Sequence, residues 1–383
     1  MDTHSPARVP EALDRDLLER AGFRPVRVME AEPVAEAVLA LTLDSRQPFA
    51  PGAHLEVAVP APSPTAAPSA APEAGPDSGP DSASGYGAPA TPETGAAEPL
   101  IRHYSLCSDP TGATPWQIAV LRHEDGDGGS EWIHSQVRAG DELFVRAPRA
   151  SFRFRAALPA LFIAGGVGIT PLRSMLTFAD GLGLDWRLLY IGRSGASMAF
   201  TRELEAEFGI ERVEVWATAE RGGRPDLAAV AGQWLREHPT AVVYTCGPTA
   251  LMDAVAAGLE ALPNRVEREV FDPAAAEAAS GAGSAGAGAP TTVGPPFTVE
   301  LADGGEVAVG RDESILEAFS RAGIRSLSSC RRGTCGTCET RILCGEADHR
   351  DAVLSPEEQA EQSSMMVCVS RAAGERITLD VKR

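Results

Sequence analysis

Residues 330–338 read Cys-Arg-Arg-Gly-Thr-Cys-Gly-Thr-Cys, and a fourth cysteine, Cys368, follows Cys338 with 29 residues between them. The C-x4-C-x2-C…C spacing is that of a plant-type [2Fe–2S] ligand set. Three thiolates on one tight loop reach two irons, and a distant fourth closes the site. Gly333 and Gly336 let backbone N–H groups turn toward the sulfurs, which raises the reduction potential. A zinc loop is the main alternative, but zinc favours C-x2-C pairs, and here the first gap is four residues. Cys344 fits no ligand spacing and reads as a spare thiol. The seven cysteines are odd in number, and five fall in the last 54 residues, which does not describe a disulfide framework.

Working outward, the cluster loop belongs to a segment of mixed texture. Residues 297–301 and 306–309 read as a hairpin around Asp303-Gly304-Gly305, followed by a helix over 313–322. After the cysteine loop come a short helix opened by a capping box, Ser355 to Glu358, and a last strand near 377–381. The spacing predicts a ferredoxin-like α+β domain (β-grasp) over 297–383. Before it, 274–296 is mostly Ala and Gly and reads as a linker. Residues 156–273 alternate apolar strands with helices, the pattern of a parallel sheet covered on both faces, with its ligand at the C-terminal strand ends. Residues 21–155 carry six short β-type runs and one helix near 130–137, which predicts a small antiparallel β-barrel. Within it, 61–99 is almost entirely Ala, Pro, Ser, Gly, Thr, Asp and Glu, and reads as a disordered insertion.

Each upstream region has a candidate binding motif. Gly165-Gly166-Val167-Gly168-Ile169-Thr170-Pro171 follows a strand and opens a helix, where glycines admit a phosphate to a helix N-terminus. Thr245-Cys246-Gly247-Pro248 ends a later strand of the same sheet. In the barrel, Arg102-His103-Tyr104-Ser105-Leu106 alternates groups suited to a flavin, with Arg for phosphate and Tyr for the ribityl or ring. Gly128-Gly129-Ser130 opens the barrel's one helix, a second phosphate site. His54 and His103 read as ordinary strand residues.

Composition limits the partners. The 383-residue chain has a net charge of −19, which argues against nucleic-acid binding. No apolar stretch approaches the ~20 residues of a membrane span, and the N-terminus has no secretory h-region, so a cytoplasmic protein is expected.

On these motifs and their order, the chain resembles the phthalate dioxygenase reductase and vanillate demethylase reductase family: an FMN-binding barrel, an NADH-binding α/β domain and a C-terminal plant-type ferredoxin. The resemblance covers most of 24–383. It implies that Arg102, Tyr104 and Ser105 hold FMN, with Val120, Leu121 and Arg122 along its ring and ribityl, and that Gly128, Gly129 and Ser130 cradle its phosphate. Thr170 and Phe271 are then near the flavin ring. Gly166, Gly168, Arg193, Ser194, Cys246 and Gly247 line the nicotinamide nucleotide site, and Cys330, Cys335, Cys338 and Cys368 bind the cluster. Residues 1–20 and the 61–99 insertion depart from the family pattern. So does the nucleotide site: Trp186 and Arg187 stand about 20 residues past the glycines, where an acidic ribose partner is usual. NADH follows from the resemblance, with NADPH not excluded.

The implied activity is an NAD(P)H-dependent oxidoreductase with no acid–base catalytic triad. Hydride passes to FMN, then single electrons pass to [2Fe–2S] and on to another polypeptide. No histidine stands two residues after a cysteine, as a Rieske centre needs, so the oxygen-activating catalyst is expected elsewhere: a Rieske-type oxygenase or demethylase, or else a cytochrome P450. The rival readings are a stand-alone ferric or quinone reductase, and a redox sensor that uses the cluster as a switch. Arg331 and Arg332 are the expected docking face.

Overall fold

A computed structural model describes residues 13–61, 99–124, 126–150, 152–271 and 293–382. Most of the 61–99 insertion and of the 274–296 linker lies outside these residues. The short helix α1 (Arg15–Arg20) is capped by Asp14, whose carboxylate accepts from the Leu17 N–H. Six strands follow: β1 (Arg24–Ala35), β2 (Val38–Leu43), β3 (His54–Val59), β4 (Leu100–Ser105), β5 (Trp116–Leu121) and β6 (Glu142–Arg149). They form an antiparallel sheet in the order β4-β3-β6-β1-β2-β5, and a bridge between Leu106 and Ile118 brings its two ends together as a barrel. Helix α2 (Gly129–Gln136) lies between β5 and β6. Alternation sorts the side chains. Leu55, Val57, Val59, Ile118, Val120, Leu143 and Val145 fill the barrel, while their neighbours Glu56, Ala58 and Phe144 are buried on its outer face.

The second region is a five-stranded parallel sheet: β7 (Ala160–Gly165), β8 (Trp186–Gly192), β9 (Val213–Ala217), β10 (Val242–Cys246) and β11 (Val266–Glu269), in the order β11-β10-β7-β8-β9. Helices α3 (Ile169–Gly181), α4 (Thr201–Phe208), α5 (Leu227–Glu237) and α6 (Thr249–Leu259) connect the strands. The order reverses between β7 and β10, so the loops after these two strands meet at the switch point. Both strands are buried on both faces, which explains their unbroken apolar runs.

The third region is a mixed sheet of β12 (Phe297–Leu301), β13 (Glu306–Val309), β14 (Glu339–Cys344), β16 (Ser364–Met366) and β18 (Arg376–Leu379), with a small pair, β15 (Ala347–Asp348) and β17 (Arg371–Ala372). Helix α7 (Ile315–Arg321) starts at a Ser314/Glu317 capping box, and α8 (Pro356–Glu361) at the expected Ser355/Glu358 box. The fold class is the expected one. The differences are local: β1 extends to Ala35, and α1, β14, β15, β16 and β17 carry no strong periodic signal. Each of these five is short, and its place is set by tertiary contacts.

Candidate redox site

The cluster loop has the backbone its glycines suggested. Gly333 and Gly336 have φ of +71° and +80°. A Cβ on Gly333 would lie 2.6 Å from the Val369 side chain, and one on Gly336 would run into the Arg149 guanidinium. Cys338 and Cys368 are buried, and Cys330 and Cys335 half-buried. The sulfurs meet two by two, Cys330 with Cys335 and Cys338 with Cys368. No three metal-ligating groups converge on one point among the described residues. Two thiol pairs suit a two-iron cluster better than a single tetrahedral zinc. The Cys335 thiol and the backbone N–H groups of Arg332 and Thr334 draw the Cys330 thiol down to about 4, and the Arg332 N–H lies 3.3 Å from its Sγ. Within each pair one thiol is lowered by its partner, Cys330 and Cys368, and the other raised, Cys335 and Cys338, so each pair offers one thiolate, the form that binds iron.

At the barrel, Arg102 and Gly129 are in contact: a Cβ on Gly129 would lie 2.8 Å from the Arg102 Nε. The guanidinium thus sits against the N-terminus of α2, where Gly128 (φ +88°) provides no side-chain cap. Asp127, largely exposed, forms an ion pair with Arg102. Cation, uncapped helix start and a carboxylate already attracted there make a fitting phosphate cradle. Ser130 accepts from the His123 N–H at 3.0 Å, and Arg122 lies 3.8 Å from Glu131. Tyr104 is largely buried, and burial raises its phenol well above the usual range. Ser105 is buried beside it in sequence. The side chain of Val120 is enclosed in the barrel core, so only its backbone is available to a ligand, and its carbonyl oxygen lies 2.8 Å from His134 Nε2. Leu121 points the other way, toward the parallel sheet.

The two glycine loops at the switch point pack directly together. A Cβ on Gly168 would overlap the Cys246 carbonyl, and one on Gly247 (φ +147°) would lie 2.8 Å from Gly165. Gly168 and Gly247 are thus required by loop-on-loop packing. Gly166 (φ +54°) has open space and is the glycine available to a phosphate. Thr170 is buried and donates to the Val167 carbonyl at 3.0 Å. Counting to Trp186 and Arg187 lands at the N-terminal end of β8, where Trp186 is buried and Arg187 pairs with Glu214 at 3.1 Å. The C-terminal end of β8 instead leads to exposed Arg193 and half-buried Ser194. Phe271 is 44% exposed at the end of its segment.

Sequence reasoning missed Glu269. It lies opposite Cys246 in the parallel register of β10 and β11. Its Oε2 is buried with no hydrogen-bond partner among the described residues, and burial raises its carboxyl to about 8. The Cys246 thiol is raised as well, first by burial and then by Glu269. No motif reveals a carboxylate whose role comes from its neighbour across two strands. His54 and His103, ordinary strand residues by sequence, do more than pack. Their rings lie 5.0 Å apart on the barrel's outer face, and burial lowers them to about 4 and about 3. His103 Nε2 is 3.2 Å from the Thr337 hydroxyl in the cluster loop.

The family model for a 2Fe-2S iron-sulfur cluster binding domain matches residues 300–373. Over 287 residues the chain is 38% identical to a putative toluene-4-sulfonate monooxygenase system reductase subunit of Comamonas testosteroni, covering 74% of this chain and 85% of that one. It is similar to a solved phthalate dioxygenase reductase, described as a modular structure for electron transfer from pyridine nucleotides to [2Fe–2S], with TM-score 0.56 and 30% identity over 95% of this chain and 99% of that one. It is also similar to an intact type IV self-sufficient cytochrome P450 monooxygenase, with TM-score 0.64 and 31% identity, covering 94% of this chain but 41% of that one. With three folded regions in this order and a two-pair cysteine loop on the last, the chain belongs to the family of oxygenase reductases that includes phthalate dioxygenase reductase.

Proposed function

We propose that this chain takes hydride from NADH at the switch point of its parallel sheet and delivers single electrons through the ferredoxin domain to a separate terminal oxygenase of the Rieske type. The observation that carries this reading is the central place of the barrel. One side of it shares an apolar core with α3 and β7. On the opposite side, β4 carries Arg102 and Tyr104 toward the barrel interior and His103 toward the cluster loop.

Bound FMN supplies the step between a two-electron donor and a one-electron acceptor. The chain's own groups bind and orient. Arg102 and the start of α2 hold the phosphate, with Tyr104, Ser105, Leu121 and Arg122 along the rest. Gly166 admits the nucleotide's phosphates, and Arg193 and Ser194 meet its ribose end. Cys246, Thr170 and Glu269 form the wall nearest the reacting ring, and Phe271 closes it. A protonated Glu269 puts no negative charge in that wall while hydride arrives. The four cysteines hold the cluster. Exposed Arg331 and half-buried Arg332 face the acceptor. The assigned boundaries, 21–155, 156–273 and 297–383, belong to the same proposal, as does action in the cytoplasm. No helix among the described residues is long and apolar enough to cross a membrane.

The test is the anaerobic visible spectrum of the purified protein before and after NADH, with NADPH in parallel. Flavin and cluster bands that both bleach support the route, and the faster nucleotide identifies the donor. A flavin that neither nucleotide bleaches overturns it. A cytochrome P450 acceptor is the second reading, favoured by the likeness to the P450 fusion. Reversing Arg331 and Arg332 to Glu is expected to lower the rate to the acceptor and the salt dependence of that rate. Equal rates at low salt would move the docking face elsewhere.

A further inference from the structure

The outer face of the barrel carries a buried carboxylate that reaches beyond the barrel. Glu56, on β3, is fully buried. One oxygen pairs with Arg146 Nη1 at 2.8 Å. The other accepts from the Thr337 hydroxyl at 3.2 Å. Thr337 lies between Cys335 and Cys338, and Cys335 Sγ is 3.3 Å from its hydroxyl oxygen. Since that hydroxyl spends its one proton on Glu56, His103 must donate to it from Nε2, which sets the ring's tautomer. The same face grips the loop twice more. Arg146 Nη2 reaches the Thr337 carbonyl at 3.4 Å, and Arg149 Nη1 reaches the Gly336 carbonyl at 3.3 Å. Arg149 also pairs with Glu339, just past the last loop cysteine.

A buried ion pair is weak evidence for stability, and its best-attested use is to fix register. Here both members of the pair lie in the barrel, and each also holds Thr337 of the cluster loop, Glu56 at its hydroxyl and Arg146 at its carbonyl. We infer that Glu56 is a positioning residue for electron exit: paired with Arg146, it holds Thr337 and so sets the cluster loop against the flavin barrel. The inference rests on the reading of function above. For each NADH, one hydride and one solvent proton are taken up at the flavin. Two electrons then leave one at a time, each reducing one ferric iron that the external acceptor reoxidises, and two protons return to solvent. The rate of each single transfer falls steeply with separation, so looser docking slows this step and not hydride uptake.

Glu56→Gln separates the two steps. Gln loses the charge that pairs with Arg146 and puts an NH2 donor where one of the two carboxylate oxygens now accepts, so it cannot reproduce both contacts as they stand. Thr337→Val removes the contact from the loop side, along with the hydroxyl's contacts to His103 and Cys335, leaves every barrel residue unchanged, and decides the question if the Gln variant does not fold. In anaerobic stopped flow with full-length holoprotein and NADH, flavin bleaching should stay within about twofold of wild type, while cluster bleaching slows about tenfold or more. Two iron atoms per chain should be retained, and hydrogen exchange across 330–338 should rise. Glu56→Asp should recover part of the rate. Unchanged cluster bleaching in both variants, with iron retained, overturns the inference. If NADH fails to bleach wild-type flavin, the reading of function fails first, and that outcome is distinct.

Discussion

The barrel meets its two neighbours through seams of opposite chemistry. Against the parallel sheet it is apolar and continuous: Val38, Ala40, Cys107, Ala119 and Phe152 share one buried cluster with Ile169, Leu172, Met175 and Leu176. Gly52 (φ +84°) lets the barrel turn come down on α3, where its N–H donates to Ser174 at 3.0 Å and a side chain would collide with Met175. Against the ferredoxin domain the seam is polar: Arg149 pairs with Glu339 and Asp14 of the N-terminal segment with Arg325, and the barrel's own Glu56–Arg146 pair reaches Thr337 through both of its members. Its apolar share is small, with Leu327 packed among Leu13, Leu18, Phe23, Ala58, Ile101 and Phe144. The difference teaches what each junction does. Hydride transfer needs two rings held in contact, and a shared core supplies rigidity. Single-electron transfer needs a defined docking pose, which directional polar contacts specify without fusing the domains.

The largest expected effect removes one side outright. Cys335→Ser should abolish the cluster and all single-electron output while NADH still reduces the flavin at near the wild-type rate, measured by anaerobic spectroscopy and iron analysis. Loss of flavin reduction as well would mean that the seams are not independent. Next is the apolar seam. Met175→Ala should destabilise the protein by about 2–5 kcal/mol and slow hydride uptake, because it empties the space under Gly52. A thermal melt and stopped-flow flavin reduction check both, and a loss confined to cluster reduction would reverse the assignment of the seams. Arg102→Ala should weaken flavin retention roughly ten- to a hundredfold, the worth of a charged hydrogen bond, without altering iron content. Full flavin occupancy after gel filtration would place the phosphate elsewhere.

The last effect is a slope. The Glu269 carboxyl is held at about 8 in the fold, against an ordinary 4.5. Between those values the unfolded chain has released a proton that the folded chain keeps, so stability falls as pH rises across the window, and the full penalty applies above it. Glu269→Gln should flatten that slope and be more stable than wild type at pH 8.5, read from melting temperatures at pH 5 and 8.5. Parallel slopes would show that the carboxylate is solvated.

Legibility followed how tightly chemistry constrains the residue. Iron accepts few side chains at few spacings, so the four cysteines were readable without a structure. The order of the three folds was also legible, because period-2 runs and βα alternation persist over whole domains. The glycines were half legible: the motif marks Gly165–Gly168, but the structure shows that Gly168 is required by Cys246, while Gly166 alone has open space. Glu56, His103, Thr337 and Glu269 were not legible in role. Glu56 and Thr337 are separated by 281 residues, and Glu269 matters through a register partner in another strand.

By itself, then, the sequence determined the candidate cluster ligands, the order of the three folds and the candidate phosphate-binding turns, since each depends on local spacing that the backbone must obey wherever it folds. Only the tertiary structure decided which faces of the barrel meet which neighbour, and that polar residues on its outer strands are buried at a domain junction and not in water. Those are contacts between distant segments, and no local period encodes them.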